Sequence, residues 1–517
     1  MPIRMEKDSP QGPKRNDNSP RPGGGSSSLM RWLPFILLFV FKRPKLLLPI
    51  LIVGGIWYFF LGGQEMFIGD YSDESSDLFS FGATLDEEVY DKAQVFEPLA
   101  YSSNVGQQLP PSTSLQRYAP PRMQQGRQGS CVGWASAYAA RTILEAKATG
   151  KSPNQSAFSP AYLYNQIALT GCQGAYMLDA MKAMQQNGAV PFQQFRYDER
   201  SCSKEPDGNL IRLGQQFRIK GYTRLTKGGN NYSPDIVGIK QHLTQGAPVV
   251  IGMQVGGTFM SRMVAQKVWR PTQRDYNLNG FSGHAMCVIG YDDNLEGGAF
   301  QIMNSWGPNW GDKGIGWVRY RDFEYFTKEA YGVYSAPAAT ESDAKTMAVE
   351  FGLLDNQTQS IIPLQKTGDV VFKTTQPISK GDKFKVLVAN SVECYIYVFG
   401  RETDGSSYVL FPYTSKHSPY CAITGTRLFP KDYSMTADDI GNQDYIAIVV
   451  SKEELDYEQL NSRINSSRQR TYTGKVKEAL GNRRITDVEF GADNTVGFSA
   501  NISSRNAVGM VVAIDKR

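Results

Sequence analysis

The stretch Gln125-Gly-Arg-Gln-Gly-Ser-Cys131-Val-Gly-Trp134-Ala decides the reading of this 517-residue chain. Gly126 and Gly129 free the backbone for a tight turn, and Ser130 is a suitable helix N-cap. Beyond Cys131 the residues Val132, Trp134, Ala135, Tyr138, Ala139, Ile143 and Leu144 recur as one face of an amphipathic helix that stops at Gly150. A thiol in the first turn of a helix feels the positive end of the macrodipole, which favours the nucleophilic thiolate. Such a thiol needs a base.

The chain has three histidines, and one sits in a distinctive place. His284 lies in Phe281-Ser-Gly-His-Ala-Met-Cys-Val-Ile-Gly-Tyr291, whose apolar, partly β-branched run from Ala285 to Ile289 reads as a buried strand bounded by Gly283 and Gly290. Asn304 ends a second short apolar strand, ahead of a loop rich in glycine and tryptophan (Trp306, Trp310, Trp317). The order Cys, His, Asn, spaced by 153 and 20 residues, can work as a unit. His284 would accept the thiol proton and the Asn304 carboxamide would hold the imidazolium in orientation. His242 and His417 read as solvated residues, and the tryptophans as packing and shielding groups.

Together these residues resemble the papain-like cysteine peptidases over roughly residues 109 to 336, from Leu109-Pro110 onward. Gln125, six residues before Cys131, is similar to the family's oxyanion-hole glutamine. Gly283-His284-Ala285 looks like its histidine strand and Asn304-Ser305-Trp306-Gly307 like its asparagine motif. The resemblance implies an α+β, papain-like fold of a helical lobe and an antiparallel β-barrel-like lobe. It implies that Cys131 attacks a peptide carbonyl, that His284 protonates the leaving amine and then activates water, and that the Cys131 N–H and Gln125 hold the oxyanion. It puts Gly174, Ala175, Gly283 and Trp306 along the substrate cleft. Three positions depart from the family: Val132 replaces the usual tryptophan after the cysteine, Gln128 a usual cysteine, and Ala175 the second glycine of a Gly-Gly pair. The Cys-Val-Gly-Trp-Ala run looks like a bacterial branch.

Four of the five remaining cysteines are bridge candidates, and Cys287 reads as a buried strand residue. Cys172 and Cys202 resemble family disulfide cysteines, from two different bridges. Cys394 and Cys421 make a similarly spaced pair further on. Either bridge would stabilise by ~3–4 kcal/mol and would suit an oxidising compartment.

The N-terminal region suggests such a compartment. Residues 1–31 read as a disordered basic tail; through residue 45, nine Lys and Arg face Glu6, Asp8 and Asp17. In the membrane-anchor region 32–63, residues 46–62 carry no charge and would make a helix of about 25 Å, enough for a short transmembrane span. The positive-inside bias gives a cytoplasmic N-terminus with everything later periplasmic or extracellular. Residues 64–108 hold Asp70, Asp73, Glu74, Asp77, Asp86, Glu87, Glu88, Asp91 and Glu97 against Lys92. They form a tether or a short inhibitory pro-segment, a solvated spacer being the plainer reading.

A linker at 337–346 leads to residues 347–517, where alternating strands predict a mainly β, sandwich-like accessory domain with helices near 456–467 and 474–480. This region resembles a bacterial domain of unknown function joined to peptidases and kinases, which implies a protein partner. The net charge of +5 is small for the length and gives no indication of nucleic acid. No metal-ligand spacing or nucleotide fingerprint occurs, so neither metal nor cofactor is expected. The expectation is a membrane-anchored cysteine endopeptidase acting on peptides or proteins. The alternatives are an aminopeptidase or peptidoglycan-crosslink peptidase on the same fold, and a non-enzymatic scaffold working through its C-terminal domain.

Overall fold

The computed structural model describes residues 3–7, 80–97, 109–227, 233–335, 345–422, 424–430, 433–492 and 494–517. The apolar run 46–62, the remainder of the anchor region and most of the 337–346 linker lie outside the described residues. Among the described residues no helix is long and apolar enough to cross a membrane.

The helix expected after Cys131 is present and buried at its core. Cys131–Gly133, Trp134–Arg141 and Thr142–Thr149 follow one another, the middle section π-wound, and Gly150 ends the run in the left-handed region at φ 68°. Gly133 lets the helix Pro160–Ile167 approach, since a Cβ there would stand 2.6 Å from the Pro160 carbonyl oxygen. Met177–Gln186 adds a third helix, burying Met177, Leu178, Met181 and Met184.

These helices pack on an eight-stranded sheet. Its order is Ile219–Arg224, Thr327–Ser335, Val249–Val255, Ser282–Asp292, Ala299–Met303, Ile315–Arg319 and Val268–Trp269, with Ser112–Ser114 also against Ser282–Asp292. All pairs are antiparallel except Val268–Trp269 beside Ile315–Arg319. Ser282–Asp292 is an interior strand buried from His284 to Tyr291, which explains its unbroken apolar run.

The C-terminal region is β-rich, with two sheets facing across one core. One holds Thr346–Asp355, Lys383–Asn390, Tyr433–Ala437, Val488–Ala492 and Val496–Asn501; the other holds Val371–Thr374, Cys394–Arg401, Ser407–Phe411, Gln443–Ser451 and Ala507–Asp515. Val371–Thr374 runs parallel to Ala507–Asp515, a departure from an all-antiparallel sandwich. Helices Tyr457–Ser466 and Tyr472–Leu480 cover the outer face of the second sheet through Leu460, Ile464, Val476 and Leu480.

Two expectations need correction here. Ile3–Lys7, read as part of a disordered tail, is a strand paired antiparallel with Tyr433–Ala437; Ile3 is buried and its backbone N–H and C=O both bond the Tyr408 hydroxyl. Five residues alternating towards an open sheet edge gain a ladder that the composition of the tail conceals. Cys394 and Cys421 are both free and buried, not bridged. They stand directly opposite in neighbouring strands and share a thiol hydrogen bond. Spacing predicted their proximity, and the strand register sets the two thiols opposite each other without joining them.

Candidate active site

Cys131 is wholly buried at the start of its helix, and its Sγ accepts a hydrogen bond from the Ala285 N–H at 3.3 Å. Thiol and histidine strand therefore meet. Ser130 does not cap the helix with its side chain. Its Oγ lies 2.6 Å from the Tyr197 hydroxyl, which itself donates to the Gln125 carbonyl at 2.6 Å. Having spent its one proton there, Tyr197 accepts from Ser130. The hydroxyl expected at the helix end instead pins the glycine-rich loop.

His284 is buried, and its Nε2 lies 2.8 Å from Asn304 Oδ1. An amide oxygen only accepts, so Nε2 carries the proton and Nδ1 is the basic nitrogen. The Ser305 N–H, at 2.7 Å from the same Oδ1, fixes that amide orientation. Nδ1 has no hydrogen-bond partner among the described residues and is free to exchange a proton. Trp306 stacks on the imidazole with ring centroids 4.4 Å apart, shielding it from water.

Gln125 Oε1 accepts from Ser305 Oγ at 2.6 Å, which turns the amide nitrogen towards the cleft. Gln125 Nε2 donates at 3.0 Å to the Gln128 carbonyl and at 3.2 Å to the Ser80 carbonyl. The Ser80 oxygen also accepts from Trp306 Nε1 at 3.1 Å. A backbone carbonyl from the acidic arm thus occupies the donor position that the resemblance assigned to an oxyanion.

From Ser80 the chain runs on through the cleft. Phe81 lies edge-on to His284 and Trp306 at 6.5 and 6.2 Å. Ala83 pairs with Ala175: Ala175 N–H donates to the Gly82 carbonyl at 2.9 Å, and Thr84 N–H to the Ala175 carbonyl at 3.1 Å. On the opposite wall the N–H groups of Gly82 and Ala83 both point to the Gly283 carbonyl, at 3.2 and 3.1 Å. The gap is narrow. A Cβ on Gly174 would come within 2.8 Å of the Gly82 carbonyl oxygen, and one on Gly82 would collide with the Gly129 backbone. Leu85 then enters a pocket beside Met177, Gly252, Gly283 and Glu329, and Asp86 caps the short helix Glu87–Tyr90.

Burial sets the protonation of the site. It pushes the Cys131 thiol up to about 12, against the N–H groups of Ala285, Val132 and Cys131 that favour the thiolate. It also lowers His284 to about 4, against the Asn304 hydrogen bond. Thiol and imidazole are both neutral while the segment is in place. Glu329, buried at the Leu85 pocket, is raised to about 8 by burial although the Asp86 N–H and the Tyr331 hydroxyl donate to it.

The structure brings together every site residue named from the sequence: Cys131, His284, Asn304, Gln125, Gly174, Ala175, Gly283 and Trp306. It joins Cys172 to Cys202 with Cα atoms 5.9 Å apart, next to the cleft wall at Gly129, whose N–H donates to the Cys172 carbonyl. Among the described residues no cluster could hold a metal ion. His242 is buried, not solvated, and bonds the Val333 carbonyl; His417 is half-buried against Tyr413. Sequence reading missed Ser305, Tyr197 and Glu329, and it left open what Ser80–Leu85 does.

Residues 114–337 match the family model described as papain family cysteine protease, and residues 378–454 match a domain of unknown function, DUF4384. The chain carries a papain-family cysteine peptidase domain, followed by a DUF4384 domain in its β-rich part. A cysteine protease of Blomia tropicalis is 27% identical over 269 residues, covering 50% of this chain and 75% of that protein. Cathepsin K of Mus musculus is 28% identical over 204 residues, covering 38% of this chain and 55% of the mouse protein. Among solved structures, xylellain, a cysteine protease from Xylella fastidiosa, aligns at 24% identity and TM-score 0.37, over 52% of this chain and 96% of xylellain.

Proposed function

We propose that this chain is a cysteine endopeptidase held in a self-blocked form. Cys131 is the nucleophile, His284 Nδ1 takes its proton and later protonates the leaving amine, and Asn304 fixes the imidazole. Gln125 and the Cys131 N–H stabilise the oxyanion. The observation that carries the reading is the Ser80 carbonyl on Gln125 Nε2, with the following residues paired to both cleft walls. It is a peptide backbone bound where a substrate backbone would be.

The cleft is traversed from Ser80 to Leu85, and the chain continues into Glu87–Tyr90 beyond it. A cleft that accommodates uninterrupted chain supports endopeptidase over aminopeptidase action. Opening it returns water to the thiol and imidazole, which moves both pKa values back and favours the ion pair. Reaction of Cys131 with an epoxide probe of cysteine peptidases, lost in Cys131→Ala, tests the assignment. An opened form that hydrolyses peptides with Cys131 replaced would overturn it, and so would an intact opened form inert to all peptides.

The reading includes an anchor at 46–62 and a site outside the cytoplasm, supported by that apolar run and by the Cys172–Cys202 bridge. The basic flank favours a cytoplasmic start; the Ile3–Lys7 pairing favours a shared side. Labelling of a Ser9→Cys variant in intact cells by an impermeant maleimide distinguishes the two.

A further inference from the structure

The blocking segment does not end at Leu85. After the single helical turn Glu87–Tyr90, pinned by the buried Tyr90 whose hydroxyl bonds the Ala330 carbonyl, residues Asp91–Glu97 leave the cleft and run between the peptidase sheet and the C-terminal region. Asp91 pairs with Arg224 of the peptidase at 2.8 Å and with Lys416 of the C-terminal region. Those two cations hold its carboxyl below the usual range, Lys416 first. Val95–Phe96 adds as a parallel strand to His417–Ser418, and Val95 N–H donates to the Lys416 carbonyl at 2.9 Å.

Phe96 is the hinge pin of this arrangement. Its ring stacks on Tyr334 of the peptidase at 5.7 Å and meets Tyr420 of the C-terminal region edge-on at 5.9 Å, while its N–H donates to Thr223 Oγ1. One residue later the buried Arg427 donates from Nε to the Glu97 carbonyl at 3.1 Å. Glu393, which accepts from the Tyr420 hydroxyl, pairs directly with Lys220 of the peptidase beside this strap of residues Asp91–Glu97.

We propose that the C-terminal region is the clasp that keeps the peptidase closed: through Lys416, His417–Ser418, Tyr420 and Arg427 it grips Asp91–Glu97, and so holds Ser80–Leu85 in the cleft. This rests on the self-blocked peptidase reading and assigns the DUF4384-bearing region a task within it. Five residues separate Leu85 from Asp91 and four of them form the helical turn, so there is little slack to let the cleft open while the strap stays gripped. Coupling is reciprocal: whatever loosens the C-terminal region from the strap opens the cleft, and whatever fills the cleft loosens the strap.

The test uses the full chain and the rate at which an epoxide probe modifies Cys131, read by mass spectrometry. Lys416→Glu and Arg427→Gln each remove a charge-assisted contact to the strap, so each should raise the rate about tenfold. Arg463→Ala, on the outer helix Tyr457–Ser466, should leave it unchanged. Gly82→Val drives the segment out by a clash with the Gly129 backbone and alters no clasp residue. If Gly82→Val reacts fast while the two clasp variants react as slowly as the parent, the clasp is overturned and the peptidase reading stands. If none reacts faster, self-blocking falls and the clasp with it. Should the clasp variants misfold, Val95→Cys with His417→Cys joins Cα partners in the strap pairing. Its oxidised form should react at least about tenfold more slowly than its reduced form, and equal rates overturn the proposal.

Discussion

Gln125 donates its side-chain N–H to the carbonyl oxygen of Ser80 at 3.2 Å, with Ser305 Oγ holding the other end of the amide at 2.6 Å. The donor proposed to stabilise the oxyanion is already aimed and already occupied. In the opened enzyme Gln125→Ala should lower kcat by ~10²–10³ with little change in KM, because the bond strengthens in the transition state. Ser305→Ala leaves the amide present but unoriented, so its loss should be smaller. Steady-state kinetics on one peptide substrate checks both.

Gly82→Val should activate. A side chain at Gly82 meets the Gly129 backbone, so the segment must leave the cleft or distort its wall. Peptide hydrolysis should rise by at least tenfold over the parent if unblocking restores a competent site, a shift of about 1.4 kcal/mol in the closing equilibrium. Unchanged hydrolysis with an intact fold would show that Ser80–Leu85 is not the block.

Closure should weaken as pH rises. Burial under Leu85 and Asp86 lifts the Glu329 carboxyl to about 8, and departure of those two residues from the cleft exposes it towards its ordinary 4.5. The closed form therefore holds the proton more tightly, and its extra stability is complete below about 4.5 and lost as pH climbs through 8. The rate of Cys131 modification should rise more steeply between pH 5 and 8 in the parent (about those limits) than in Glu329→Gln. Parallel profiles would remove Glu329 from the account.

The Cys172–Cys202 bridge closes a loop of 30 residues against the cleft wall. Replacing both cysteines by serine should cost ~3–4 kcal/mol of stability if the bridge is unstrained, read as a lower midpoint in urea unfolding. An unchanged midpoint would mean that the loop is held by its packing alone.

The grouping of the candidate site residues was legible from sequence because the nucleophilic catalysis proposed for them restricts residue type. Cys131, His284, Asn304 and Gln125 have few substitutes, and their flanking glycines and apolar strands mark how they are presented. The blocking segment was not, because Gly82, Ala83 and Thr84 bind through backbone N–H and C=O groups that every residue carries. Ser130 was misassigned for a related reason: local pattern predicted a cap, and a tertiary neighbour, Tyr197, claimed the hydroxyl. Burial of His242 likewise depends on packing against Gly332, which helix periodicity does not encode. In the C-terminal region the mainly β character and the two helices were legible in the sequence. The parallel placement of Val371–Thr374 and the addition of Ile3–Lys7 depend on long-range pairing that local pattern leaves open.

The most direct test of the central claim is the rate of epoxide modification at Cys131 in the intact chain and in Gly82→Val, with Cys131→Ser as the blank. The account predicts slow modification of the intact chain, at least about tenfold faster modification of Gly82→Val, and none in the blank. Equal rates in the intact chain and Gly82→Val, or probe attached elsewhere than Cys131, would contradict it.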